Sequence, residues 1–406
     1  MKHSIFKFIH FFAATATVLT ISTLFTTVSP ALKDTFTGAK AGEDIIFRKE
    51  VIAKVDPDGT TIRMVNMNDS WKNGAALSYI LNNNVKKTVV LPKGKYEIDR
   101  TIHIGNDTAI EATGTKYKLV SAGKNIFNND CTGPEYGCLK NFSINGGSWD
   151  VAGMTAQKKA FTSFRFAHAT NLKLSNMEIT SNYINHALEI IACKNVVIDG
   201  VNIDCLGSPK KNCSEENIQI DLATPKTAPQ LVKFGKKYVQ GQTCHNVTIK
   251  NCNVTGSRGI CANTTPADNQ KWYTKYHSNI SVINCTITGA TSEALVLQNC
   301  KGVTVKYNKI VSNSKRLNDV HSIGLNILFF KADKSTSKYK YEVIGNTVKG
   351  GRQGIYIISY GGNKFGTTTV RDNKAYCKNG KDNAIVVIEK DITKLIQSGN
   401  ESFAWN

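Results

Sequence analysis

Apolar and polar residues alternate in short runs that recur along most of the chain. In each run the apolar side chains occupy every second position, which is the period of a β-strand with one buried face. One series of runs starts with Asn or Gly and continues with an alternating triplet. Its clearest copies lie at residues 171–174, 195–198, 246–249, 279–282 and 302–305.

A second series of runs interleaves with the first. Each copy contains residues that point inward, outward and inward in turn, usually after a small residue. The shortest spacing is about 24 residues, from Phe164 to Leu188. Because a repeat of this length forms one coil that stacks on the next, the pattern predicts a solenoid. The copies lie at residues 164–166, 187–190, 217–220, 259–262, 294–297, 324–327, 354–357 and 384–387.

Valine, isoleucine, threonine and asparagine dominate these repeats, and the consensus of leucine-rich repeats is missing. β-Branched residues favour strands, and asparagines at equivalent turns of stacked coils can form side-chain ladders. The composition of the repeats therefore predicts a parallel β-helix. Triplets such as the one that begins at Asn246 are predicted to be ladder positions, not glycosylation sites.

The first 31 residues have a basic start, an apolar middle and small residues at the end, which is the layout of a signal peptide. The alternative is an uncleaved anchor that would keep the protein at the cell surface. Residues 69–81 have the pattern of a short amphipathic helix that would cover the first coil. We divide the chain into signal peptide (1–31), linker (32–44), N-terminal cap and first coils (45–130) and β-helix (131–400).

The chain has a formal net charge of +20. In an exported protein this excess favours an anionic partner, and we predict an acidic polysaccharide. Motifs for nucleic-acid binding are missing, so we expect no nucleic-acid partner, no membrane contact beyond the signal sequence, and a monomer. Eleven cysteines permit disulfides. Cys131 with Cys138 and Cys205 with Cys213 are close enough for local bridges.

The segment VLPKGKY at residues 90–96, after the predicted helix, resembles the N-terminal region of the pectate-lyase-like superfamily. The later coils match the periodicity of that superfamily, so the resemblance covers roughly residues 45–400. It implies an all-β, single-stranded right-handed parallel β-helix with a short N-terminal capping helix. Because the superfamily includes lyases, hydrolases, epimerases, phage tailspikes and adhesins, the resemblance does not assign a reaction.

Ionisable side chains crowd three successive coils of the second series, on positions that face outward. Glu189 and Asp221 lie one coil and two residues apart, so their backbones should be about 8 Å from each other. That separation suits an inverting glycosidase, whose carboxyls lie ~6.5–9.5 Å apart. The candidate catalytic residues are Glu189, Asp221, Glu216, His186 and Arg258.

Long insertions leave the solenoid from the same coils, at residues 224–243 and 264–277. Their lysines could contact sugar carboxylates, and their aromatic side chains could stack on sugar rings. The candidate substrate-binding residues are Arg165, Gln219, Asn263, Lys236, Lys237, Trp272 and Tyr273.

The layout is similar to that of polygalacturonases, in which an Asn-Thr-Asp segment, an Asp-Asp pair and a Gly-His-Gly segment occupy three successive coils. Here His186 stands in place of the first acid, and Arg258 in place of the histidine. Glu215 and Glu216 replace the aspartate pair. The similarity supports the location of a site and leaves the reaction open.

Three functions remain open from the sequence. The main prediction is a glycoside hydrolase that cleaves a uronate-containing polysaccharide with paired carboxylates and needs no cofactor. A polysaccharide lyase or C5-epimerase would instead bind the uronate through Arg258 and Arg165, with His186 as base. That mechanism could add a Ca²⁺ ion among the three candidate carboxylates. The third function is a non-catalytic, glycan-binding adhesin that uses the same groove.

Overall fold

The computed structural model describes residues 40–405 except for residues 48, 66–67, 122–124, 132, 134, 152–161, 265–273, 332–334 and 361–363. The predicted signal peptide therefore lies outside the described residues. Within the described ranges, no helix has both the length and the apolar character that crossing a membrane requires.

Three long sheets, which we name A, B and C, extend along the described chain. Successive coils each add one strand to each sheet, and these strands pair in parallel. Antiparallel pairing joins the first three strands of sheet A, before the coils begin. The predicted solenoid of short parallel strands is confirmed.

The strands of each sheet follow in chain order. Sheet A contains Asp44–Phe47, Glu50–Val55, Thr61–Met64, Lys87–Val90, Thr108–Glu111, Leu139–Asn145, Ala169–Ser175, Lys194–Asp199, His245–Lys250, His277–Ile283, Cys300–Lys306, Lys340–Ile344, Phe365–Arg371 and Ile392–Ser398. Sheet B contains Gly94–Ile98, Thr115–Leu119, Ser148–Asp150, Glu178–Ser181, Asn202–Cys205, Asn253–Gly256, Thr286–Gly289, Lys309–Ser312, Thr347–Gly350, Lys374–Cys377 and Glu401–Ala404. Sheet C contains Ile102–His103, Phe127–Asn128, Thr162–Ala167, His186–Ile191, Glu216–Asp221, Arg258–Asn263, Leu295–Gln298, Leu325–Phe329, Ile355–Ser359 and Ile385–Val387.

Short 3-10 helices lie in the connections between strands. They span Glu135–Gly137, Pro229–Phe234, Lys236–Val239, Val320–Ser322, Thr336–Lys338, Lys381–Asn383 and Glu389–Asp391.

Inward side chains of all three sheets form one continuous apolar core. In sheet C the predicted inward residues are register partners from coil to coil, so each apolar side chain packs on its equivalent in the next coil. Burial of one such Leu, Ile or Phe contributes roughly 1.5–3 kcal/mol. The stacked residues are Phe164, Leu188, Ile218, Ile260, Leu295, Leu325 and Ile355.

The predicted capping helix spans Ser70–Leu81. Asp69 is its N-cap and accepts a hydrogen bond from the backbone N–H of Lys72 at 2.9 Å, which satisfies one of the free N–H groups of the first turn. Leu77 and Ile80 lie three residues apart on its apolar face and are buried in the main core. The helix packs against the first strands of sheets B and C and so covers the open end of the solenoid, as the sequence predicts.

An exposed side-chain ladder runs along the beginnings of successive strands of sheet A. Its members have φ between 52° and 57°, in the left-handed region that Asn and Asp tolerate better than most residues. Each asparagine amide donates to the side-chain oxygen one coil earlier, at 2.7–3.2 Å. The triplet at Asn246 is thus a ladder position. The ladder consists of Asp107, Asn141, Asn171, Asn195, Asn246 and Asn279.

A second ladder is buried between sheets A and B in the C-terminal half. The side-chain oxygen of Asn346 accepts from both the backbone N–H and the amide of Asn308, each at 2.9 Å. The Asn346 amide donates to Asn373 Oδ1 and to the carbonyl of Val305, also at 2.9 Å. The same pattern continues from Asn373 to Asn400. These contacts compensate for the burial of the amides.

Cys131 and Cys138 form the predicted local disulfide. Cys205 and Cys213 remain unbonded, so the second suggested bridge is wrong. The sulfur of Cys205 accepts from the amide of Asn217 at 2.9 Å, whereas the thiol of Cys213 donates to a different coil.

Asn346→Ala should lower the free energy of unfolding by about 3 kcal/mol, because it leaves the Asn308 N–H and a backbone carbonyl buried without partners. Asn279→Gly, in the exposed ladder, is the control. It keeps the left-handed backbone available and should cost less than about 1 kcal/mol. Urea denaturation of both variants measures the difference, and equal losses would show that the buried ladder has no special role.

Candidate functional site

The outward positions of sheet C align as the sequence predicts. The first column of register partners contains Arg165, Glu189, Gln219 and Cys261. The second column contains Ala167, Ile191, Asp221 and Asn263. At the beginning of the strands, Thr162 pairs with His186, and Glu216 pairs with Arg258. The structure therefore brings the candidate catalytic residues together on three neighbouring strands.

These carboxyls do not face open solvent. The exposed fractions of Glu189, Glu216 and Asp221 are 3%, 6% and 1%. The sequence pattern alone favoured an open groove at this face. Burial on this scale requires that each charge be paired or removed by protonation, because an isolated buried carboxylate is costly.

A segment that follows the strand Glu216–Asp221 folds back over sheet C, and we call residues 224–243 the cover loop. The hydroxyl of Tyr238 in this loop donates to the carbonyl of Gly133 at 2.8 Å. The ring of His168 hydrogen-bonds the Tyr238 carbonyl at 2.8 Å. The loop and the outer face of the sheet share a second apolar cluster of Cys131, Cys138, Ala167, Ile191, Ala192, Ala223, Ala228, Leu231, Tyr238 and Val239.

Glu189 is paired with an arginine of the preceding coil. Its Oε2 accepts from Nε of Arg165 at 2.5 Å and from the hydroxyl of Thr162 at 2.7 Å. Arg165 also donates to that hydroxyl, at 3.1 Å. The three side chains form a closed set in which charge-assisted hydrogen bonds compensate the buried carboxylate.

Arg258 lies between two buried glutamates. One of its terminal nitrogens is 2.5 Å from Glu216 Oε1, and the other is 2.9 Å from Glu293 Oε2. Ser292 donates a further hydrogen bond to Glu293 at 2.5 Å. Burial acts to raise the pKa of Glu293, but the charge of Arg258 and the Ser292 hydrogen bond together hold it below its ordinary value.

His186 joins this network through Glu216. Its Nδ1 is 2.6 Å from the Glu216 carbonyl, which can only accept, so Nδ1 carries the proton. Its Nε2 lies 3.4 Å from a carboxylate oxygen of Glu215. Among the described residues, His186, Glu215 and Glu216 place potential metal-ligand atoms within 4.8 Å of one another. An imidazole with two carboxylates suits a transition metal better than Ca²⁺, which prefers oxygen ligands.

Asp221 has no arginine partner. Burial raises its pKa well above the ordinary value, and the negative charges of Glu189 and Glu216 raise it further. The charge of Arg165 and a hydrogen bond with Gln219 oppose this shift. One carboxyl oxygen, Oδ1, has no hydrogen-bond partner among the described residues. Burial and the neighbouring negative charges therefore favour the protonated form of Asp221.

The network places a carboxyl with a raised pKa, Asp221, near a carboxyl paired with an arginine, Glu189, and a glycosidase likewise uses two carboxyls in different environments. The same two groups are covered, however, and Glu189 accepts from two donors that already satisfy it. Arg165 and Arg258 are likewise occupied, so neither is free to bind a uronate. In this arrangement the ionisable residues bind one another through ion pairs and hydrogen bonds.

The candidate binding residues lie in different surroundings. Lys236 and Lys237 are exposed on the outer side of the cover loop. Gln219 is buried beside Asp221, and Asn263 is half-buried at the end of the next strand, where its carbonyl hydrogen-bonds the ring of His277 at 2.9 Å. Trp272 and Tyr273 lie outside the described residues.

Two members of the network were not selected from the sequence as site residues. Thr162 binds both Arg165 and Glu189, and Glu293 is the second partner of Arg258. The signal that could have identified Glu293 was its place in the same outward column as Arg258, one coil later, with the opposite charge.

No protein-family model matches the chain. A curated relative, plasmin and fibronectin-binding protein A of Streptococcus pneumoniae (strain ATCC BAA-255 / R6), is 23% identical over 225 residues. That match covers 48% of this chain and 30% of the relative, so this chain spans about a third of the relative's length.

Two solved structures are similar across most of the chain. PfbA, a surface adhesin of Streptococcus pneumoniae, has a TM-score of 0.54 and 16% identity, covering 84% of this chain and 90% of that chain. A hyperthermoactive exopolygalacturonase from Thermotoga maritima has a TM-score of 0.51 and 13% identity, covering 91% and 90%. At these identities the likeness concerns the fold alone, which is a right-handed parallel β-helix.

Arg258→Gln should lower the free energy of unfolding at pH 7 by about 3–5 kcal/mol, because it leaves Glu216 and Glu293 buried without a cation. The loss should shrink as the pH approaches the ordinary glutamate pKa of about 4.3, where both can protonate. Lys250→Gln breaks an exposed pair with Asp199 and should cost less than about 1 kcal/mol. A loss for Arg258→Gln as small as that of the control, in urea unfolding, would mean that the pair is solvated.

Asp221→Asn should stabilise the protein at neutral pH. Because the folded pKa of Asp221 is raised, folding must take up a proton above the unfolded pKa of about 3.9, and this costs stability as the pH rises from there towards the folded pKa. Asparagine avoids that cost. Urea unfolding should show little difference between variant and wild type near pH 4 and a growing advantage of the variant towards pH 7. A variant that is equally destabilised at both pH values would indicate that Asp221 is ionised in the folded protein.

Proposed function

We propose that this chain is a secreted or cell-surface binding protein of the adhesin type whose partner is an acidic polysaccharide. The observation that carries the proposal is that the three candidate catalytic carboxyls are buried and that two of them are paired with arginines. Glu189 is held by Arg165, and Glu216 by Arg258. Residues that would have to contact a sugar during hydrolysis are instead satisfied within the protein.

The charged groups that a partner could contact lie on the outer side of the cover loop. We call its exposed cations, Lys226, Lys233, Lys236 and Lys237, the lysine surface. Lys237 is positioned 4.9 Å from the centre of the Tyr238 ring, and Tyr238 is itself anchored to the solenoid. The loop thus presents positive charge on a fixed base, which favours a polyanion with repeated negative groups.

Similarity to named proteins supports the binding function over catalysis. The curated relative is named for binding plasmin and fibronectin, and the related solved structure is titled a surface adhesin. A polymer of uronates is the partner that the charge of this chain favours. If no acidic glycan binds, the next test is binding to host proteins of the kind in the relative's name.

Glycoside hydrolysis is the second candidate function. Its support is the raised pKa of Asp221 near the arginine-paired Glu189, since one proton donor and one carboxylate are the groups that the reaction requires. Turnover by this pair would require the cover loop to open and Arg165 to release Glu189. We therefore rank hydrolysis below binding.

The mature chain should bind polygalacturonate more tightly than a neutral polymer of similar length. Binding should weaken as salt is raised, because exposed charges are screened over ~8–10 Å at physiological ionic strength. Combined Lys236→Gln and Lys237→Gln substitutions should weaken binding by about three- to tenfold. Surface-based binding assays at two salt concentrations measure these effects.

The matched control combines Lys116→Gln and Lys118→Gln, two exposed lysines of sheet B that carry the same total charge. This control should bind as wild type does. Equal binding of acidic and neutral polymers, or equal weakening by the two double variants, would contradict the role of the lysine surface.

A further inference from the structure

A surface cavity of about 580 Å³ lies beside the charged network, between two successive coils. Its walls come from the connection that precedes the strand Leu325–Phe329 and from the turn that precedes Ile355–Ser359. The lining residues are Arg316, Leu317, Asn318, Asp319, Val320 and Arg352. We call this cavity the arginine pocket.

Arg316 is held in place by contacts on the side of its guanidinium that faces the solenoid. One terminal nitrogen lies 3.3 Å from the hydroxyl of Ser214 and 3.4 Å from the carbonyl of Thr291. The other terminal nitrogen is 3.8 Å from Asp319. Its Nε is buried and has no hydrogen-bond partner among the described residues. These contacts are long, so much of the donor capacity of Arg316 remains unused.

Arg352 combines a fixed backbone with an unused side chain. Its N–H donates to the hydroxyl of Ser322 at 3.0 Å, and its carbonyl accepts from the thiol of Cys377 at 3.0 Å. Within the described part of the chain, its guanidinium contacts neither a carboxylate nor another hydrogen-bond acceptor. An arginine whose backbone is anchored on two sides loses less freedom when it binds a ligand.

Close packing brings the two arginines to one pocket. A Cβ atom on Gly351 would come within 2.7 Å of a methyl group of Leu317, so a larger residue at this position would require the Leu317 side chain to move. The Gly351 N–H also donates to the Ser322 carbonyl at 2.6 Å. In addition, the amide of Asn379 donates to the Leu317 carbonyl at 3.0 Å. The pocket is therefore built by the fold and does not depend on chance contacts of long side chains.

The pocket combines positive charge with an apolar wall. Two guanidinium groups face one carboxylate, that of Asp319, which already accepts from Nδ1 of His321 at 2.6 Å. Leu317 and Val320 supply apolar surface beside these charges. A free inorganic ion would use only the cations, whereas a sugar ring that carries a negative group would use both parts of the pocket.

We propose that the arginine pocket binds the carboxylate of a uronate residue, with Arg352 and Arg316 as its ligands and Leu317 with Val320 against the sugar ring. This inference rests on the proposed function and names the chemical group that the protein recognises. Two arginines from successive coils can accept one carboxylate through paired N–H donors, which discriminates against a neutral sugar.

A uronate disaccharide, digalacturonate, is titrated into the full mature chain by calorimetry, next to its neutral and sulfated counterparts. We expect wild type to bind the uronate at least about tenfold more tightly than the neutral sugar. Arg352→Gln should weaken uronate binding by about tenfold or more, and Arg352→Lys should recover only part of it, because lysine lacks the fork of parallel donors. Lys315→Gln, which removes an exposed charge beside the pocket, should stay within about twofold of wild type.

Wild-type uronate affinity in the Arg352→Gln variant would overturn the arginine pocket, and the proposed function would survive if polygalacturonate still bound at the lysine surface. Failure of wild type to bind either the disaccharide or the polymer would overturn both proposals. Tighter binding of the sulfated disaccharide than of the uronate would overturn the carboxylate assignment. Circular dichroism of each variant separates loss of binding from loss of folding.

Discussion

Parallel coils that stack in register place each side chain directly next to its equivalent in the coil before and the coil after. Inside the solenoid this constraint creates continuous apolar columns. At the turns it allows identical asparagines to donate to one another along the axis, as between Asn308 and Asn346. On the outer face it brings charged residues within a strand spacing of about 4.8 Å, where opposite signs stabilise and like signs repel.

The charged columns of sheet C follow from this constraint. Arg165 stacks beside Glu189, and Arg258 separates Glu216 from Glu293. Asp221 has acidic neighbours without an ion pair of its own, and burial together with their negative charge raises its pKa. The set is largely removed from water, which is tolerable only because nearly every charge has a partner. We therefore expect a partner molecule to contact the exposed lysines and the arginine pocket.

Much of the fold could be predicted from periodicity, because strand alternation and repeat length act locally and recur many times. The register of sheet C, the asparagine ladder at Asn246 and the helix capped by Asp69 were all accessible in this way. Burial of Glu189 was not, because it depends on the three-dimensional packing around the outer face of the sheet and not on the alternation within a strand. The columns of outward residues place Arg258 next to the two glutamates, but only the three-dimensional distances show that it pairs with both. The arginine pocket depends on the approach of Leu317 to Gly351, a contact between loops of different coils that no local pattern records.

We propose that the arginine-paired glutamates of sheet C stabilise the solenoid and that the protein binds its partner without cleaving it. Long incubation of the purified mature chain with polygalacturonate, followed by measurement of polymer length by mass spectrometry, tests this claim most directly. The account predicts an unchanged length distribution, with no new reducing ends and no unsaturated products absorbing near ~235 nm. Shortened chains that disappear with Glu189→Gln would contradict it and would assign catalysis to these residues.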